Sequence, residues 1–252
     1  MDFNLKQNRK RIDIAGIPVD AITTDELEDA VKEMLSDKKN HHIMLVSVSD
    51  IMKAKISSEL RGNIERASLI LPISSSIRSG AKFLNRKYIP ELYFPFDFVI
   101  KLLGLIENHG KSVYLAGGRR AVLQITESNI KSSFPGLTIV GRCAGFFPKE
   151  MEKDVVTAIK KSSPALVLTG VGLSGGRHWV TRNNSMFNPG ISLWIGNSFD
   201  IFAGKRNRPA KTGGARFAEK AGKALRNPAK LLNIFVYIWY LFILLYYRLR
   251  KL

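Results

Sequence analysis

Six strand-length runs, mainly apolar along their whole length, recur through this chain, most of them followed by a stretch with helical spacing. They occupy residues 42–49, 68–72, 111–118, 137–141, 165–172 and 191 onward. A strand with one face in water alternates apolar and polar residues, whereas a strand covered on both faces does not. The pattern therefore predicts an α/β fold, a Rossmann-like, largely parallel sheet with helices on both faces. Ahead of it, residues 12–20 read as an edge strand with a turn at Gly16 and Pro18. Thr23 reads as a helix N-cap with acids in the first turn, and Leu27, Ala30, Val31 and Met34 as the apolar face of that helix. Further helices are expected over 50–65, 77–84, 96–107, 119–132 and 149–161. Phe94, Phe96 and Phe98 form either a ligand-stacking platform or, as a proline-flanked aromatic run more often does, a packed loop.

In a parallel sheet, ligands bind beyond the C-terminal ends of the strands. Three of those ends carry glycine-rich turns, Gly117-Gly118, Gly170-Val171-Gly172 and Gly196. All three belong on one edge, which points to a nucleotide-type pocket. None has the GxGxxG or GxxxxGK[ST] spacing, so a plain dinucleotide dehydrogenase or P-loop enzyme is disfavoured. At Gly196-Asn197-Ser198 a strand runs into a helix start, and such a turn leaves backbone N–H groups free for an anion or serves only as a connection.

Charge divides the chain. Of the net +18, +11 lies from Lys205 onward, where twelve Lys and Arg face the single acid Glu219. Residues 231–247 then run for 17 positions with no charge and seven aromatic side chains. A helix of that length reaches about 25 Å, short of a ~30 Å hydrocarbon core, and both its flanks are basic. The expectation is a helix lying in, or shallowly inserted into, an anionic membrane surface, with a true span as the alternative. Two regions follow: an α/β body over 1–204 and a basic, apolar, membrane-associating helical appendage over 205–252. The basic tail alone would also suit nucleic acid, but no groove-reading motif accompanies it, and no nucleic-acid partner is expected. Cys143 is the lone cysteine, which rules out an intrachain disulfide and a Cys/Cys metal site. The polar N-terminus lacks the apolar core of a secretory signal, so the expected location is the cytoplasmic side of the cell membrane.

Several stretches together resemble the WecG/TagA/CpsF family of bacterial glycosyltransferases over nearly the full length. They are Ile14-Ala-Gly-Ile-Pro-Val-Asp20, Ser68-Leu-Ile-Leu-Pro72, Tyr114-Leu-Ala-Gly-Gly118, Phe134-Pro-Gly-Leu-Thr-Ile-Val-Gly141 with Gly145-Phe-Phe147, Leu168-Thr-Gly-Val-Gly172, and Gly196-Asn-Ser-Phe-Asp-Ile-Phe-Ala-Gly-Lys205. The resemblance implies transfer of an N-acetylhexosamine-type sugar from a UDP-sugar donor to a polyprenyl-diphosphate-linked acceptor in cell-envelope polysaccharide synthesis. It also implies an inverting, metal-independent reaction without a cofactor, and a C-terminal appendage that reaches the membrane. Homo-oligomerisation is left open.

The departures fall on reactive positions. Where the family shows Asp-Gly after Leu-Pro, with the Asp as proposed base, this chain has Ile73-Ser74. Its Asn-Ala-acid segment becomes Val48-Ser49-Asp50, and its Arg-x-Thr-Gly-x-Asp becomes Leu92-Tyr-Phe-Pro-Phe-Asp97. Ser174-Gly-Gly-Arg177 stands where Pro-Lys-Gln-Glu is expected, with Trp179 retained. An inverting transfer needs a group to take the proton of the acceptor hydroxyl, and the candidates are Asp50, Asp97 and His178. Asp50 and Asp97 also suit helix starts, and His178 an exposed loop. Gly117, Gly118, Gly170, Gly172, Gly196 and Asn197 are expected to face the nucleotide sugar, with Asp200 organising the helix start beside them. Arg206, Arg208 and Lys211 are the candidates for the acceptor phosphates. The alternative is a catalytically weak or inactive member that binds a nucleotide sugar or a partner at the membrane.

Overall fold

A computed structural model describes residues 10–209 and 232–250. The chain starts with an antiparallel hairpin, β1 (Arg11–Ile14) and β2 (Ile17–Asp20), turning at Ala15-Gly16. Pro18 lies inside β2 and not in the turn expected for it; it stands opposite Asp13. Six parallel strands follow: β3 (Asn40–Val46), β4 (Leu69–Pro72), β5 (Ser112–Ala116), β6 (Thr138–Cys143), β7 (Leu166–Gly170) and β8 (Gly190–Gly196). Their order across the sheet is β4-β3-β8-β7-β5-β6. This is the Rossmann-like architecture that the apolar runs predict.

The two faces of the sheet explain those runs. In β3, Ile43 and Leu45 enter one core while Met44 and Val46 enter the other, and β4 divides Leu69 and Leu71 from Ile70 in the same way. Side chains alternate across a strand, so only helices on both sides can make every position apolar. One face is covered by α1 (Thr24–Ser36), α5 (Pro95–Asn108), α6 (Arg120–Ser133) and the short α9 (Ser198–Phe202). The other carries α2 (Val48–Ala54), α3 (Ser58–Arg66), α4 (Ser75–Asn85), α7 (Glu152–Ser162), α8 (Arg177–Asn183) and the hairpin. Asp20 ties the hairpin down: fully buried, it accepts from Arg11 Nε at 2.7 Å and from the backbone N–H of Ile70 at 2.7 Å. β6 is the outer strand beyond β5, and its exposed and half-buried positions alternate.

Three boundaries differ from the sequence reading for local reasons. The single helix expected over 50–65 is two, because Ser57 accepts from the N–H of Leu60 and starts α3 afresh. The aromatic run divides: Phe94 ends an irregular segment as the N-cap of α5, and the helix expected from Phe96 starts one residue earlier. Pro95 is the first residue of α5, where its missing N–H costs nothing and its fixed φ suits the helix. The stretch after β7, unassigned from sequence, forms α8.

The C-terminal helix, α10 (Leu232–Leu249), is joined to the body along one stripe. Tyr240 and Leu244 are buried with residues of α2 and α4, and Lys55 Nζ donates to Tyr247 Oη at 2.8 Å. That packing is closer than a free appendage would show. The opposite side leaves Phe235, Trp239, Phe242 and Leu249 each at least 62% exposed. Among the described residues no helix is long and apolar enough to cross a membrane. Lys211 and the basic residues 216–230 lie outside the described residues.

Candidate active site

A cleft of about 670 Å³ opens beyond the C-terminal ends of β3, β4 and β8. Each wall follows from how a strand hands the chain to a helix. After β3, Ser47 caps α2 in a reciprocal box: its hydroxyl faces the N–H of Asp50, and Asp50 Oδ2 accepts from Ser47 N at 2.9 Å and Ser47 Oγ at 2.7 Å. Helical spacing then puts Ser49, Asp50 and Lys53 on the cleft side of α2. After β4, Ile73 lines the cleft. The start of α5 contributes Phe94, Phe96 and Asp97, whereas Phe98 of the same run belongs to the core. After β8 come Gly196 and Asn197, and the segment beyond α9 returns across the opening with Arg206 and Arg208.

Arginines organise the two carboxylates. Arg177 Nη1 donates to Asp50 Oδ1 at 2.6 Å, and its guanidinium lies 5.0 Å from the centre of the Trp194 ring. With both oxygens engaged and only 8% of its side chain exposed, Asp50 is a framework anion. Asp97, 30% exposed, is paired with Arg208, whose guanidinium also covers the Phe96 ring at 5.4 Å. Phe96 in turn packs on Phe202 at 4.7 Å between ring centres. Among the described residues lining the cleft, Lys53, Arg177, Arg206 and Arg208 outnumber Asp50 and Asp97. Such a surplus in a concave site attracts anions, phosphates above all. Trp194 adds a buried indole N–H without a hydrogen-bond partner among the described residues, a donor available to a bound molecule.

The sequence candidates divide between this cleft and its surroundings. Asp50, Asp97, Gly196, Asn197, Arg206 and Arg208 line it together. Asp200 is adjacent and accepts, through its main-chain carbonyl, from the N–H groups of Lys205 and Arg206, which fixes the return of that segment. His178 turns away toward α3, with Nδ1 2.8 Å from Asn63 Nδ2 and 3.4 Å from Glu59. The other glycines sit on the expected rim but close on one another. Gly117 N donates to Cys143 O, Gly118 N to Val171 O and Gly145 N to Gly118 O. Phe199 fills the space a Gly170 side chain would need, 2.6 Å from the place of its Cβ. Lys53 and Trp194 carry no motif and were missed; their one signal is position, a cation one turn into the helix after a strand and an aromatic at a strand end. Among the described residues no group of three His, Cys, Asp or Glu could hold a metal ion.

His42 lies under this floor, in contact with the same cavity wall as Arg177 and Trp194. Burial holds its pKa down to about 4 against the ordinary 6.5; a hydrogen bond to Ser192 opposes the shift and the charge of Arg177 adds to it. The ring is therefore neutral at pH 7, and the unfolded chain binds the proton first as pH falls. Stability is fully present above about 6.5 and is lost toward pH 4, by about 2 kcal/mol at pH 5. In chemical denaturation at pH 7 and pH 5, His42→Gln is expected to lose about 2 kcal/mol less than the unsubstituted chain; equal losses would assign the acid sensitivity elsewhere.

Residues 12–252 match the sequence model of the glycosyl transferase WecG/TagA/CpsF family. Among curated proteins, the N-acetylglucosaminyldiphosphoundecaprenol N-acetyl-beta-D-mannosaminyltransferase of Bacillus spizizenii is 24% identical over 213 residues, 84% of this chain and 81% of that protein. The protein of the same name from Staphylococcus aureus is 21% identical over 213 residues, covering 82% of each.

Proposed function

The chain belongs to the glycosyl transferase WecG/TagA/CpsF family, and we propose that it moves an N-acetylhexosamine-type sugar from a UDP-sugar donor to a polyprenyl-diphosphate-linked acceptor at a membrane surface. The observation that carries this reading is the cationic cleft beyond β3, β4 and β8, where Lys53, Arg177, Arg206 and Arg208 face two carboxylates. Donor and acceptor each carry a diphosphate, so a site that holds both needs more positive than negative charge. The names of the relatives, which pair a diphosphoundecaprenol acceptor with a mannosaminyl group, supply the chemical class.

The reaction follows from the groups at hand. The acceptor hydroxyl attacks the anomeric carbon as the bond to the UDP oxygen breaks, the hydroxyl proton passes to Asp97, and the charge left on UDP is met by the arginines. Asp97 is preferred to Asp50 because the latter's two oxygens are already held by Arg177 and Ser47. Attack from the face opposite the leaving UDP inverts the anomeric centre. The exposed aromatic side of α10 supports attachment to a membrane surface through the C-terminal segment.

UDP release should depend on an N-acetylglucosaminyl-diphosphate-polyprenol acceptor in a coupled assay. One feature favours a second reading: Ile73 stands where the resemblance implies an acid. A member that binds the donor without turnover would saturate with UDP-sugar in calorimetry yet release no UDP with any acceptor.

A further inference from the structure

The cleft does not account for a second cavity, a groove of about 460 Å³ where α10 lies against α4. Its walls are Ser79, Gly80 and Phe83 from α4 and Tyr237, Leu241 and Leu244 from α10. The two helices approach this closely because residue 80 is glycine; a Cβ there would stand 2.2 Å from Tyr240 Oη. The lining is largely aliphatic and aromatic, with serine hydroxyls at one end. Ligand pockets of this size with few polar groups suit an apolar chain.

Its position relative to the cleft says which chain. Ile73 lines the cleft and Ser75 lines the groove, so the β4–α4 turn is the wall between them. A molecule with its diphosphate among the arginines can round that turn and lay its apolar tail along α4. At its other side the groove continues onto the apolar surface of α10 through Leu241, which is 63% exposed. We propose that this groove holds the isoprenoid of the lipid-linked acceptor, the stretch nearest its diphosphate. The inference rests on the acceptor reading above and adds a binding subsite to it.

The test compares two N-acetylglucosaminyl-diphosphate acceptors, one on a short prenyl chain and one on a long chain, with the full-length protein. The unsubstituted chain should prefer the long acceptor in kcat/KM. Ser79→Trp, which fills the groove from its exposed α4 side, should cut that preference about tenfold, the effect of losing the burial of about two methylene groups. A polyprenyl diphosphate carrying a diazirine on its first isoprene units should label the segments holding Phe83 or Tyr237. An unchanged preference in Ser79→Trp, or a label found elsewhere, overturns the groove while leaving transfer intact. If Ser79→Trp instead changes only self-association in sedimentation, the occupant is a second copy of the chain. If phospholipid vesicles suppress labelling as well as unlabelled polyprenyl diphosphate does, it is an ordinary acyl tail. Either result overturns the proposal. Failure of the unsubstituted chain to use either acceptor would remove the acceptor reading and this occupant with it.

Discussion

Asp97→Asn is expected to lower kcat by about 10²–10⁴-fold, the range that loss of a general base produces, while UDP-sugar affinity changes little. The carboxylate sits in the first turn of α5 and lines the cleft, where it pairs with Arg208. The alternatives are weaker on geometry. Asp50 is held at both oxygens, Ile73 has no proton to exchange, and His178 faces α3. Because Asp97 also orients Arg208, the substitution could act through a displaced arginine, and the pH profile separates the two roles. Loss of a base removes the acidic limb of the kcat/KM profile; displacement of an arginine raises KM and leaves the limb in place. Acceptor-dependent UDP release at several pH values provides both readings. A kcat for Asp97→Asn equal to that of the unsubstituted chain would eliminate Asp97 as the base.

What could be read from the sequence is what depends on neighbours along the chain. Apolar runs gave the parallel sheet because each strand position reports one face of it, and Thr23 with Glu26 marked the start of α1 through a local box of hydrogen bonds. The lining of the cleft was legible where a candidate residue stands at a helix start, as with Asp50, Asp97 and Asn197. It was illegible where the partner comes from far away. Arg177 reaches Asp50 from 127 positions along the chain and Arg208 reaches Asp97 from 111, and neither pairing leaves a periodic trace. The tail shows the same limit. Its hydrophobicity all round announces an apolar surface, but which stripe meets the body depends on Gly80 and Lys55, more than 150 residues earlier.

The glycines teach the opposite lesson and supply the second large effect. The sequence offers Gly117-Gly118 and Gly170-Val171-Gly172 as room for a nucleotide, yet the protein itself fills that room: the backbone of Gly170 at Gly117, the Phe199 ring at Gly118 and Gly170, and the Phe146 ring at Gly172. Gly117 has φ of 109°, a region costly to any residue with a Cβ, and a Cβ placed there would lie 2.9 Å from the N, C and O atoms of Gly170. Those atoms belong to β7, whose hydrogen bonds to β5 and β8 hold it in place, so they cannot swing aside as a flexible side chain would. Backbone strain of about 1–3 kcal/mol and overpacking of a similar size make Gly117→Ala about 4 kcal/mol less stable. At about 2–4 °C per kcal/mol for a chain of this size, the melting temperature should fall by roughly 8–16 °C. Because the strain lies at the β5–β7 junction and not in the cleft, the fraction that remains folded should bind UDP-sugar with unaltered affinity. Thermal unfolding beside calorimetric titration distinguishes the two roles: a variant that melts normally but binds poorly would return Gly117 to the donor site, and one that melts early but binds normally fixes it as the residue that lets the chain leaving β5 pack against the end of β7.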